Sequence, residues 1–257
     1  MDEIEKYYNK FNEDKRLLSR HGQVEFFITS KYIDECIGGR NNLKILDIGA
    51  GTGRYSAMLY DKGHDVTAVE YVKKNLSVLK QNYPHIKSFQ GNALNLKKFK
   101  DNTFDISLLF GPMYHLFTIE DKMKALNEAK RVTKPNGYIL VAYLMNDYAV
   151  ITYAFKEGNL EKCLNENKLT SDFKCITSKS DLYSYVRTED ISQINSACNL
   201  TRVKIIGVDG ATDYIRPVLN KMSEHDFNIY LQYQLSICER SDLLGASSHT
   251  LDILIKK

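Results

Sequence analysis

Between residues 43 and 144, short apolar runs alternate with longer stretches whose apolar positions recur every three or four residues. The runs at 43–48, 65–70, 86–90, 104–110 and 138–144 predict strands, and the stretches 54–62, 72–82 and 119–133 predict helices. Gly63 closes the first helix and Pro84 stops the second, while Thr118-x-x-Asp121 opens the third with a capping-box signature. The turn Pro135-Asn136-Gly137 delivers the strand 138–144. The run 104–110 is apolar almost throughout, as a strand covered on both faces requires. Strands alternating with helices predict a parallel sheet with right-handed crossovers.

The flanks follow other rhythms. Residues 2–37 read as two helices, the first with Ile4, Tyr7, Tyr8 and Phe11 on one face. The second runs from Gln23 after a break at His21-Gly22, and Gly38-Gly39 ends it. Beyond residue 145, a helix over 147–165 and one or two short strands within 172–187 read as an insertion, a lid. Thr188 then caps a helix over 189–198, a strand returns at 202–208, a helix covers 213–239, and a strand closes the chain at 250–256.

The 257 residues suffice for one α/β domain with an appended lid, divided as cover 1–40, core 41–145, insertion 146–187 and completion of the sheet 188–257. A net charge of +3 argues against a phosphate-backbone binder, so no nucleic-acid partner is expected. The acidic start Met-Asp-Glu-Ile-Glu-Lys does not read as a signal peptide, and the longest strongly apolar run, 138–145, is too short to span a bilayer. The chain is expected to work in the cytoplasm, away from membranes. Its five cysteines are scattered, with no C-x-x-C pair and no metal-site spacing, which predicts reduced, buried thiols and no metal.

The chemistry is concentrated at residues 46–53, Leu-Asp-Ile-Gly-Ala-Gly-Thr-Gly. A buried strand ends in Asp47, three glycines follow at alternate positions, and a helix begins at Arg54. Glycines permit positive φ and let a ligand approach the backbone closely. A dinucleotide fingerprint needs G-x-G-x-x-G; here Arg54, counted from Gly49, or Ser56, counted from Gly51, stands at the last position. The G-x-G-x-G run after an acid resembles motif I of the class I S-adenosylmethionine-dependent methyltransferases. Glu70 ends the second strand, 19 positions after Gly51, where a carboxylate can accept hydrogen bonds from ribose hydroxyls. The run 104–110 resembles motif IV, and Gly111-Pro112-Met113-Tyr114-His115-Leu116 is similar to the Gly-Pro-Leu-Tyr-His-Leu segment of a small bacterial subgroup. Segments 14–26 and 243–249 resemble the two ends of that subgroup. The Asn/Asp-Pro-Pro-Tyr/Phe tetrapeptide that grips a flipped base is absent, which favours a small-molecule acceptor.

The resemblance implies a Rossmann-like, doubly wound, mostly parallel sheet of seven strands with the last antiparallel. It implies S-adenosylmethionine as cofactor, with S-adenosylhomocysteine as product. Asp47 would meet the methionine amino end. Gly49, Ala50, Gly51 and Gly53 would form the loop, with Glu70 and Tyr71 at the ribose. Asn92 and Ala93 would face the adenine, although the family more often has Asp where Asn92 stands. Phe110 and Gly111 would wall the pocket, and Tyr8, Arg16 and Arg20 of the N-terminal cover would close it or meet the cofactor's carboxylate. His115 is the candidate general base and Tyr114 lines the acceptor site; His115 holding its own loop is the plainer alternative. His249 reads as structural. The expected reaction is methyl transfer to nitrogen or oxygen of a small molecule. The alternatives are an RNA or protein methyltransferase and a cofactor-binding protein without catalysis; the glycine spacing disfavours a nicotinamide dehydrogenase.

Overall fold

The computed structural model describes residues 3–10 and 18–257. In chain order the elements are helix α1 (Glu3–Lys10), α2 (Arg20–Ile37), strand β1 (Lys44–Ile48), α3 (Arg54–Asp61), β2 (Asp65–Glu70), α4 (Lys73–Asn82), β3 (Lys87–Gln90) and β4 (Phe104–Leu109). A 3₁₀ turn (Pro112–His115), α5 (Ile119–Val132) and β5 (Thr133–Leu144) follow. Then come α6 (Asn146–Ala149), a π-helical stretch (Val150–Lys156), α7 (Leu160–Asn165), α8 (Thr188–Ala197), β6 (Thr201–Gly207), α9 (Arg216–Leu219), α10 (Glu224–Ile237) and β7 (His249–Ile255).

The seven strands form one sheet in the order β3-β2-β1-β4-β5-β7-β6. Pairings among β1 to β5 are parallel, and β7 lies antiparallel between β5 and β6. Period-two side-chain alternation sends Ile45 into one core and Leu46 and Ile48 into the other. The first core packs α2, through Val24, Ile28 and Ile33, and α3, through Leu59, against one face of the sheet. The second packs α5, through Ala125, Leu126 and Ala129, and α8, through Ile191 and Ile194, against the other. Burying each such Leu or Ile contributes roughly 1.5–3 kcal/mol, so the doubly covered sheet forms a rigid base for the loops at its rim.

The strand order reverses between β1 and β4, and open α/β sheets hold ligands outside the carboxyl ends of strands at such a point. Gly49, Glu70, Asn92 and Phe110 each follow or end one of the neighbouring parallel strands, so they gather at one rim. β7 begins at that same rim, because its antiparallel register pairs His249 with Leu144, the last residue of β5.

Several flanking elements depart from the sequence pattern. His21-Gly22 is no break: the Ser19 hydroxyl accepts a hydrogen bond from the Gly22 N–H, and Gly22 is buried in the first turn of α2. The stretch 147–165 is not one helix but α6, the π-helical stretch and α7, interrupted at Gly158 (φ 73°). Within 172–187 no strand forms; the segment makes only isolated bridges, Leu169 with Cys175 and Met145 with Val186. Thr188 is the first residue of α8 rather than its cap; Arg187 is the cap, and its N–H donates to Asp190. The stretch 213–239 divides into α9 and α10, since Ser223 caps a new helix by accepting from the Asp226 N–H.

Candidate functional site

The glycine loop is held by the strand beside it. The N–H groups of Gly49 and Ala50 both donate to the Val69 carbonyl, at 2.8 and 3.1 Å. At Gly49 (φ 81°) a Cβ would come within 2.5 Å of the Pro112 ring, so no side chain fits between β1 and the segment after β4. At Gly51 (φ 57°) a Cβ would meet nothing within 4 Å. The loop therefore turns a bare backbone face towards open space, which a ligand can approach closely.

Two buried carboxylates flank this loop. Glu70, 5% exposed, accepts from the Gly51 N–H with Oε2 and from the Val72 N–H with Oε1, both at 2.8 Å. Burial raises its pKa against these bonds, and the Asp47 charge adds to the rise. Asp47, 1% exposed, accepts a 2.6 Å hydrogen bond from the Ser56 hydroxyl. Burial pushes its carboxyl up to about 6, which the Ser56 bond only partly opposes. A cationic ligand group beside Asp47 would relieve that cost.

A cavity of 1090 Å³ opens from the loop towards the 146–187 insertion. Its volume exceeds what one cofactor of moderate size occupies and leaves room for an acceptor. Asp47, Gly49, Ala50, Gly51, Glu70, Tyr71, Asn92, Ala93, Phe110 and Gly111 all line it. So do Tyr8, Tyr114 and His115. Asn92 forms a turn of its own, its side-chain oxygen accepting from the Leu94 N–H at 2.9 Å, and it still borders the cavity. His115 donates from Nδ1 to the Leu182 carbonyl at 2.8 Å, because a carbonyl only accepts. Its Nε2 lies 3.3 Å from the Tyr8 hydroxyl, and its ring packs on Tyr183. One imidazole thus joins the N-terminal cover, the 3₁₀ turn and the insertion.

Arg20 and Gly53 stand apart. Arg20 packs over the Phe227 ring at 4.3 Å and pairs with Glu224 at 3.2 Å; it anchors α2 to α10 and is absent from the cavity lining. Gly53 lies outside that lining too and caps α3. Arg16 lies outside the described residues.

Lys122, Asp213 and Arg216 are charged groups that the sequence pattern does not single out, and His249 is one that it reads as structural. Lys122 is buried, donates to the carbonyls of Met113 and Leu116 and to the Ser184 hydroxyl, and has its pKa lowered to about 8 by burial. Asp213 pairs with Arg216 at 2.7 Å, and both line the cavity. His249 lines it as well, its Nδ1 2.6 Å from Asp209. Among the described residues no group of three or more His, Cys, Asp or Glu side chains could hold a metal ion, and no helix is long and apolar enough to cross a membrane.

The donor set suits S-adenosylmethionine. A buried carboxylate lies where a cationic amine would relieve it, a second sits beside the glycine loop where hydroxyls would donate, and the loop face has no side chain to exclude a ligand.

Comparison with known proteins agrees. Residues 46–141 match the family described as methyltransferase domain. A demethylmenaquinone methyltransferase from Paenarthrobacter aurescens is 40% identical over 99 residues, which is 38% of this chain and 38% of that protein. The match thus spans well under half of the relative's length. Among solved structures, an S-adenosylmethionine-dependent methyltransferase from Archaeoglobus fulgidus superposes with a TM-score of 0.62 at 17% identity, covering 97% of this chain and all of that one. A methyltransferase from Thermotoga maritima, described as a possible histamine N-methyltransferase, gives 0.60 at 18% identity, covering 99% of this chain and 98% of the other. Residues 46–141 thus match the methyltransferase-domain family, and the chain as a whole is similar in fold to solved S-adenosylmethionine-dependent methyltransferases.

Proposed function

We propose that this protein transfers a methyl group from S-adenosylmethionine to a nitrogen or oxygen of a small molecule. The observation that carries the reading is the bare glycine loop, bound to Glu70 through the Gly51 N–H and opening on a cavity large enough for cofactor and acceptor together. The name of the Paenarthrobacter relative supports a small organic acceptor, and the net charge of +3 gives little attraction for a nucleic acid.

When bound, the cofactor supplies a methyl group already activated on a sulfonium. The chain's task is then to bind, to align and to exclude water. In this reading Asp47 receives the amino group, Glu70 with Tyr71 receives the ribose, and Asn92, Ala93 and Phe110 enclose the adenine. Tyr8 of the cover (1–40) and the aromatic residues of the lid (146–187) close the cavity over the core (41–145), with 188–257 completing the sheet. Tyr114 and His115 touch the acceptor, and the Leu182 carbonyl keeps the His115 ring in place.

The test is release of S-adenosylhomocysteine from S-adenosylmethionine by the whole chain with a panel of catechols, phenols and primary amines. Release matched mole for mole by a methylated acceptor supports the reading. Tight cofactor binding with no release for any acceptor would make the protein a binder without catalysis. A preference for RNA or protein acceptors would replace the small molecule.

A further inference from the structure

Besides His21 and His115, the cavity is lined by His249, which is better furnished for proton transfer than His115. β6 ends at Gly207, and the chain reaches Asp209 two residues later; antiparallel β7 starts at His249 on the same rim. Residues 40 positions apart thereby meet. Asp209 is 3% exposed, and both its oxygens are occupied. Oδ1 accepts from the His249 N–H and from the Ser247 hydroxyl, each at 2.8 Å, and Oδ2 faces His249 Nδ1 at 2.6 Å. A carboxylate only accepts, so Nδ1 carries the proton of that bond, which in the neutral ring puts the lone pair on Nε2.

We propose that His249 is the group that takes the acceptor's proton, with Asp209 as its positioning residue. The inference rests on the methyl-transfer reading above. In the step, the acceptor's O–H or N–H bond breaks, its electron pair stays on the acceptor atom, and the proton bonds to Nε2. The ring becomes an imidazolium still donating Nδ1–H to Asp209, whose negative charge balances it; the proton later leaves to solvent.

Comparison with His115 favours this assignment. The partner of His115 Nδ1 is the Leu182 carbonyl, which holds the tautomer but brings no charge to balance an imidazolium. Tyr114 lies ring to ring with His249 at 5.6 Å, and Asp213 interacts electrostatically with both His249 and His21 and is paired with Arg216. Glu25 of α2 lines the same small recess as His249.

The experiment has two readouts on the full-length chain. Imidazole ¹⁵N NMR of the histidine-labelled protein at neutral pH should show His249 protonated at Nδ1 and bare at Nε2, with that preference lost in Asp209→Asn. On an acceptor found in the screen above, His249→Gln should lower kcat/KM by about 100-fold or more and abolish the loss of activity at acid pH, leaving S-adenosylmethionine affinity unchanged. His115→Gln should keep the acid limb. An Nε2–H tautomer at His249, full turnover in His249→Gln, or an acid limb that disappears only in His115→Gln would overturn the assignment. If the wild-type protein methylates nothing, the methyl-transfer reading fails by itself, and the tautomer still decides whether His249 is poised to accept a proton.

Discussion

Asp47 carries a cost that its environment does not remove. With its pKa at about 6 in the folded chain and the ordinary value at 3.8, the native state binds the extra proton between those pH values. Stability therefore falls as pH rises through that window, the reverse of a salt-bridged aspartate, and the whole penalty, about 3 kcal/mol, is present at pH 7. Asp47→Asn keeps an oxygen for the Ser56 hydroxyl. The ligand-free variant is expected to show a higher urea midpoint at pH 7 than the wild type and a flatter pH dependence between 4 and 6, together with weaker S-adenosylmethionine binding. A lower midpoint would mean that the charge is satisfied in the empty protein. Glu70 differs, since two backbone N–H groups already meet it. Glu70→Ala should weaken S-adenosylmethionine by about 1–3 kcal/mol, roughly 5- to 150-fold in Kd, and unchanged affinity in calorimetry would remove the ribose assignment.

Elements whose signals are local were legible in the sequence, and those decided by distant contacts were not. Strand β1, the glycine loop, β2 and Glu70 follow from apolar runs, glycine spacing and one acid. The helix break at Gly158 is a local signal that the apolar pattern of 147–165 conceals. Strands within 172–187 fail to form because that segment spends its hydrogen bonds elsewhere: Ser184 N–H on Tyr114, Val186 N–H on Leu144 and Cys175 N–H on the Asn146 side chain. Asp209 and His249 could not be joined from sequence, since their meeting depends on the register of β7. Lys122 is a similar case, clamping the first turn of α5 to the 3₁₀ turn and to Ser184 of the lid. Lys122→Met should take one donor from the carbonyls of Met113 and Leu116, leaving them only the Ser184 hydroxyl, at a cost of about 1–3 kcal/mol. Faster amide exchange at Ser184 and a raised acceptor KM are the expected readouts; exchange at the wild-type rate would show that the lid is held without the lysine.

At the scale of the molecule, a sheet covered on both faces brings six carboxyl-end loops and the start of one antiparallel strand to a single rim, and the 1090 Å³ cavity lies there. One end carries the glycine loop and two buried carboxylates, the other the histidines and the tyrosines of the insertion. That division is what a two-ligand transfer reaction needs. Its first half can be tested without knowing the acceptor. Calorimetric titration of the whole chain with S-adenosylmethionine, S-adenosylhomocysteine and NAD should give saturable one-site binding of the first two and no heat with the third. Binding of NAD alone, or of none of the three, would contradict the assignment of the glycine loop and Glu70 on which the proposed function stands.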